Sequence, residues 1–411
     1  MLTKKRIFIG LGIIFLLLVV AAGFLLLKTL GNEGKLSGPV EKAVTGGNLS
    51  EAEKAGRELS NGQCQGKEKG KLGTSPMKSE DFSMVLPYGL MIGGHVTPID
   101  HQYFSPTVFN SPRDTYEVRA MADSNIVDIQ PRVRPEGTEY RFVFTISCTF
   151  FYYYDLVTSL APEVKKAYDE SSSGQIKKSL NMAVKEGQLI GRIGGQTLDF
   201  AVWDTEKPLK GFIVPEHYKG ESWKIYTADP LDYYTDRLKK LILSKYVRAA
   251  APVSGKIDYD IDGKLIGNWF RQETGGYSGG GSGGDYYKNH LAIAPDAYDP
   301  ASIVFSIGDF AGQPQQFGVK GNSPDPKNVS VATGLVKYEL VQQDWMVVST
   351  GEHWDRFSLV KGLKAKNHEE SVQGVALLQL LENRKLKVEV FPGKTASQVV
   401  AFTKKAVVYE R

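Results

Sequence analysis

Residues 7–27 form a run of 21 positions without a single charged or strongly polar side chain, and nothing else in the chain limits its possible folds so sharply. A helix crossing the hydrocarbon core of a membrane needs about 20 such residues. Lys4, Lys5 and Arg6 precede the run and Lys28 closes it. A basic flank holds its own side in the cytoplasm, so everything after Lys28 is expected outside. A cleaved signal peptide is the competing reading, but its apolar region would span about 7–15 residues and end at a small-x-small site. Ala21-Ala22-Gly23 is a poor version of that site. Residues 1–28 are therefore read as a transmembrane signal anchor. A single-pass cell-membrane protein with its C-terminal bulk outside the cytoplasm is expected.

Outside the cytoplasm the two cysteines, Cys64 and Cys148, favour a disulfide, with free buried thiols as the alternative. Neither sits in a Cys-x-x-Cys spacing, which excludes a zinc ribbon. Asn48 and Asn328 head Asn-Leu-Ser and Asn-Val-Ser and are candidate glycosylation sites. Lys plus Arg number 50 against 46 Asp plus Glu, with no basic block, so no nucleic-acid partner is implied.

The 411 residues exceed one ordinary core, at roughly 150 residues per domain. Residues 29–78 are polar, without strand-like alternation, and read as a flexible extracytoplasmic stalk. Inside it Ser50-Glu51-Ala52-Glu53 has the form of a capping box that starts a short helix to Leu59. Residues 79–229 form a β-rich domain with strands expected at 116–121, 126–130, 140–154 and 198–203. The stretch 142–154 is apolar and aromatic on both alternating faces, which predicts one central strand covered on each side. Asp229-Pro230 offers an N-cap and a first-turn proline. Leu231, Tyr234, Leu238, Leu241 and Ile242 follow at helical spacing, so residues 230–246 are read as a connecting amphipathic helix. Residues 247–411 return to short strands, at 256–261, 265–270, 290–294, 303–307, 334–341, 375–381, 386–391 and 407–409. They read as a C-terminal antiparallel β barrel or sandwich. The glycine-rich segment 275–284 lacks the Gly-Lys-Ser/Thr ending of a phosphate-binding loop and reads as a flexible surface loop.

The stretch that most resembles a site is 94–104, which holds two of the six histidines, His95 and His101, beside Asp100. Imidazole and carboxylate suit zinc, and a catalytic zinc site needs about three protein ligands plus an open position. Gly94-His95-Val96-Thr97-Pro98-Ile99-Asp100 resembles the first zinc-binding block of the lysostaphin-type peptidoglycan endopeptidases. Val118-Arg119-Ala120-Met121-Ala122-Asp123-Ser124-Asn125-Ile126-Val127 is similar to their strand-turn-strand, and residues 184–194 followed by Leu198-Asp199-Phe200-Ala201-Val202 to their closing hairpin. The resemblance implies a small β-barrel-like sheet with a duplicated hybrid motif. It also implies zinc, held by His95, Asp100 and a residue of the last strand.

The catalytic positions depart from that pattern. Thr197 and Asp199 stand where the family carries its His-x-His pair, Asp155 or Leu156 where it carries a further His, and one extra residue separates His95 from Asp100. Peptide hydrolysis by this route needs zinc to acidify a water and imidazoles to move protons. The expectation is thus a catalytically degenerate peptidase-like domain without a cofactor, binding cell-envelope polymer or a partner protein. The alternative is a divergent zinc metalloendopeptidase acting on cell-wall peptides or proteins, with His95, Asp100 and Asp199 as metal ligands and His101 as base.

Overall fold

Short β-rich segments punctuated by turns pair antiparallel across residues 49–171, 178–279 and 286–411, the residues that the computed structural model describes. The expected anchor and Asn48 lie outside these residues, and none of the described helices is long and apolar enough to cross a membrane. Residues Leu49–Arg411 form one compact unit.

The first half is organised by a sheet whose strands run in the order β1 (Phe82–Leu86), β2 (Gln102–Pro106), β10 (Leu198–Asp204), β6 (Phe150–Val157), β5 (Gly137–Thr145), β4 (Ser124–Arg134) and β8 (Lys178–Val184). The short β11 (Thr227–Ala228) adds to β10, and β3 (Tyr116–Arg119), β9 (Leu189–Ile193) and β7 (Ser159–Leu160) form a second, three-stranded sheet. The aromatic run predicted as one strand is a hairpin. Strands β5 and β6 turn back through Ile146–Thr149, where the Thr145 hydroxyl donates to the Ser147 carbonyl at 2.6 Å and the Ile146 amide to the Phe150 carbonyl at 3.0 Å. Hydroxyl side chains close this turn without Gly or Pro, which hid it in an apolar sequence. Both strands are central, and their two faces feed two cores. Phe142, Phe144, Tyr152 and Tyr154 point into the main core, while Val143, Phe151 and Tyr153 join Trp203, Tyr218 and Phe270 on the other side. Fully burying a side chain such as Phe151 contributes about 2–3 kcal/mol.

From Leu49 onward the expected stalk is part of the fold. Helix α1 (Glu51–Leu59) starts with the capping box of Ser50 and Glu53, and Gly56 lies so close to the β5–β6 turn that a Cβ there would stand 1.6 Å from the Cys148 carbonyl oxygen. Cys64 is bonded to Cys148 in that turn. Further on, Leu72 and Met77 are fully buried in the main core. Too few apolar residues mark this stretch for a pattern to show, yet Leu72 and Met77 each find a place in the core.

The expected connecting helix is two elements. Asp229 caps only a single turn, Pro230–Asp232, and helix α3 (Asp236–Lys245) begins afresh at a Thr235 cap, burying Leu238 and Ile242 in the main core. Helix α2 (Pro162–Glu170) packs Val164 into the same core.

The second half is a closed eight-stranded antiparallel barrel: β12 (Gly267–Arg271), β13 (His290–Pro295), β14 (Ile303–Phe310), β15 (Gln313–Val319), β16 (Leu335–Val347), β17 (Leu363–Leu381), β18 (Lys385–Pro392) and β19 (Val407–Glu410). Each strand pairs with the next, and β19 closes on β12 through Phe270 and Glu410. Trp269, Leu291, Phe305, Tyr338, Leu378 and Leu386 fill it as one apolar cluster. The expected strand at 256–261 is an irregular segment against the first half. The glycine-rich loop is anchored as far as Gly279: Gly276 has φ +78, and the Tyr277 amide donates to the His217 carbonyl at 2.8 Å.

Candidate functional site

Register places the site. Asp199 on β10 pairs with Tyr103 on β2 and with Asp155 on β6. Arg141 on β5 pairs with Gln130 on β4. Side chains two residues apart share a face of a strand, so His101 follows Tyr103, and Tyr153 follows Asp155. A row of polar groups thus crosses five strands on the face turned away from the main core. The opposite wall is the 3-10 segment Pro215–Tyr226, which brings Trp223 and Lys224, with Tyr277 and Tyr286 from the segments between β12 and β13. Between them lies a cleft of about 460 Å³.

At its floor the His101 ring stands between two carboxylates. Its Nδ1 is 3.3 Å from Asp100 Oδ1, and its Nε2 is 3.3 Å from Asp199 Oδ2 and 3.1 Å from the Tyr103 hydroxyl. Asp100 is otherwise committed: the buried Lys224 ammonium lies 2.9 Å from Oδ1, and the Trp223 indole N–H donates to Oδ2 at 2.9 Å. Lys224 also pairs with Glu221 at 3.1 Å and sits over the Tyr277 ring at 4.4 Å. Arg132 holds Asp155 at 2.5 Å.

The charges follow from these contacts. Burial pushes the Asp100 pKa up, but Lys224 and His101 outweigh it and hold the carboxyl well below its usual range. Burial likewise opposes charge on Lys224, and Asp100 overrides it, keeping the ammonium protonated. For His101 burial disfavours the imidazolium, yet Asp199 and Asp100 raise its pKa above the ordinary 6.5. Asp199 is raised to about 7 by burial and by Asp155 beside it, with His101 opposing. His101 and Asp199 titrate as one coupled pair.

All four candidates from the sequence, His95, Asp100, His101 and Asp199, line this one cleft. They do not surround a common point: Asp100 and Asp199 occupy opposite nitrogens of His101, and His95 is exposed at the rim with its ring centroid 6.0 Å from that of His101. Among the described residues no three His, Cys, Asp or Glu side chains gather so as to hold an ion. Both oxygens of Asp100 already accept hydrogen bonds, so the donor set does not fit the zinc centre that the family pattern implies.

Sequence reasoning missed Lys224, Trp223, Arg132, Arg141 and Tyr277 as members of the site. Asp155 and Thr197 were marked only as departures from a motif. Thr197 Oγ lies 3.4 Å from Asp199. Asn328 is exposed in the turn before the barrel's fifth strand.

No family model and no curated protein matches the chain significantly. Two solved structures show likeness to it. Helicobacter pylori Csd3 is 17% identical over 44% of this chain and 42% of its own, with a TM-score of 0.24. Lysostaphin, in its NMR solution structure, is 13% identical over 71% of this chain and 98% of its own, with a TM-score of 0.25. The chain spans less than half the length of Csd3, and at these TM-scores neither likeness establishes a shared fold.

Proposed function

We propose that the protein is a membrane-anchored extracytoplasmic binding protein, held by residues 7–27, whose peptidase-like domain takes up cell-envelope polymer or a partner protein without cleaving it. The observation that carries this reading is the state of His101. A general base needs a free nitrogen aimed at the proton it removes. Asp100 and Asp199 stand at opposite nitrogens of His101, with the Tyr103 hydroxyl also at Nε2, so neither nitrogen is free, and the two acids raise the pKa of the ring. Asp100, the other donor of the first block, is neutralised by Lys224 and Trp223. What is left for a ligand is a polar floor with aromatic walls, a composition suited to recognition.

The test uses the full-length chain in detergent, assayed for co-sedimentation with purified envelope polymer and for release of soluble fragments with and without zinc. Retention without release is expected. Zinc-dependent turnover that His95→Ala abolishes would overturn the proposal.

The second reading, a divergent zinc metalloendopeptidase with His95, Asp100 and Asp199 as ligands, draws on their sharing one cleft. It requires Asp100 to exchange Lys224 and Trp223 for the ion. Elemental analysis after zinc loading decides: no stoichiometric metal ends that reading.

A further inference from the structure

Among the cations lining the cleft, Arg141 differs from its neighbours. Arg132 is paired with Asp155, Arg134 with Glu139 at 3.5 Å, Lys224 with Asp100 and Glu221, and His101 with Asp100 and Asp199. Arg141 is 9% exposed, yet its guanidinium makes no hydrogen bond or ion pair with any described residue, and its Nε is buried without a partner. It is held by aromatic faces instead, with the guanidinium carbon 4.3 Å from the Trp223 ring centroid and 4.8 Å from that of Tyr153. Stacking fixes the plane of the group and leaves its N–H edge unfilled. A buried guanidinium without acceptors is costly, so a fold that keeps one at a cleft presents it to something.

We propose that Arg141 is the receptor for a carboxylate of the ligand, bound edge-on by two parallel N–H···O bonds. This rests on the cleft being a binding site, and it adds what the site binds. Arg–carboxylate pairs take this bidentate form when the guanidinium edge is free. Charge decides between a carboxylate and a phosphate. The four other cations, Arg132, Arg134, Lys224 and His101, share five acids, so with Arg141 the charges of the cleft balance and its guanidinium edge is the one left without an acid, while Asp155, Asp199 and Glu221 along the same walls repel a dianion. A monoanion with a flat, two-oxygen edge fits, and its source is a peptide carboxyl or an acidic sugar.

The experiment is a ligand-observed NMR titration of the full-length chain with acetyl-triglycine, its C-terminal amide, galacturonate and inorganic phosphate. Acetyl-triglycine is expected to bind at least tenfold more tightly than its amide in the wild-type protein, a ratio that needs no variant. Arg141→Met is expected to remove that preference and Arg141→Lys to restore only part of it. If galacturonate binds as tightly as acetyl-triglycine, the source is an acidic sugar; weaker binding assigns a peptide. Equal binding of acid and amide by the wild type, or tighter binding of phosphate than of either carboxylate, overturns the proposal. The two readings fail separately: polymer retention with no acid preference sinks the Arg141 receptor alone, while acid preference without polymer retention sinks the envelope-binding function alone.

Discussion

Arg411, which follows the last strand of the barrel, and Arg141, on the central sheet, are both buried arginines stacked on a tryptophan, and their surroundings differ in kind. Arg411 lies 3.8 Å from the Trp269 ring centroid, pairs with the buried Asp260 at 3.2 Å, and donates to the backbone carbonyls of Ile266 and Lys264. Arg141 has the aromatic contact and none of the acceptors. The same contrast runs through the two halves. The barrel is filled by apolar side chains and satisfies its buried charge internally, whereas the sheet has one wholly apolar face and one on which an apolar cluster adjoins a row of linked acids and bases. The barrel closes its buried charge on itself, while the sheet keeps one guanidinium edge without an acceptor.

The largest expected effect concerns how the sheet half is braced. The Cys64–Cys148 bond closes a loop across 84 positions of sequence. In the chain-entropy view, opening it costs about 4 kcal/mol. Replacing both cysteines by alanine should lower the midpoint of urea unfolding accordingly, and reductant should have no further effect on that variant. A loss below about 1 kcal/mol would mean that α1 and the turn hold by packing alone.

Arg411→Met comes next. Removing one partner of a buried pair leaves the other charge stranded, and about 3 kcal/mol should be lost. Asp260, already raised to about 6 by burial with Arg411 opposing, should then rise further, which NMR titration of its carboxyl carbon would read. An unchanged midpoint would remove the barrel's side of the contrast.

The pH dependence separates the two halves in another way. Asp199, raised from 3.8 to about 7, binds a proton in the folded state that the unfolded chain has released, so its contribution is lost as pH rises from about 4 to 7. His101, also raised, adds a loss in the same direction as pH climbs past 6.5 through its folded value. Asp260 and Asp296, each raised to about 6 by burial, have the same sign on the barrel side. His290, lowered to about 4 by burial, has the opposite sign and gains stability as pH rises towards 6.5, so the comparison is between two proteins: from pH 5 to 8.5 Asp199→Asn should lose on the order of 2 kcal/mol less stability than the wild type. Urea unfolding at the two pH values reads both. Identical slopes for the two proteins would show that Asp199 does not carry the extra proton.

How much of this was legible beforehand depended on the range of the interaction. The capping box at Ser50 and the alternating strands are local, and they appear in the structure close to where the pattern put them. So does the pairing of the two cysteines, which had no other partner. The hairpin at Ile146–Thr149 escaped because its turn is made by hydroxyls among β-formers, and β15 because Gln313, Gln315 and Gln316 leave no apolar alternation before Phe317. The site was legible as four residues and not as an arrangement. Asp100 reads as a metal ligand until Trp223 and Lys224, more than 120 positions later, occupy its oxygens. Arg141 carried no signal at all, since an arginine in a strand is ordinary until its neighbours are known.

The smallest expected effect is the most discriminating for the comparison between the two arginines. Arg141 has no acceptor to strand, so Arg141→Met gives up only the cation–π contacts with Trp223 and Tyr153, about 1 kcal/mol, and recovers part of that by removing an unsatisfied buried charge. The variant should unfold within about 1 kcal/mol of the wild type, or above it, where Arg411→Met falls by about three times as much. Measured by urea unfolding in the same buffer, a large loss at Arg141 would mean that the guanidinium is structural and that the two arginines do one job. A small loss leaves a charge that the fold does not use for its own stability.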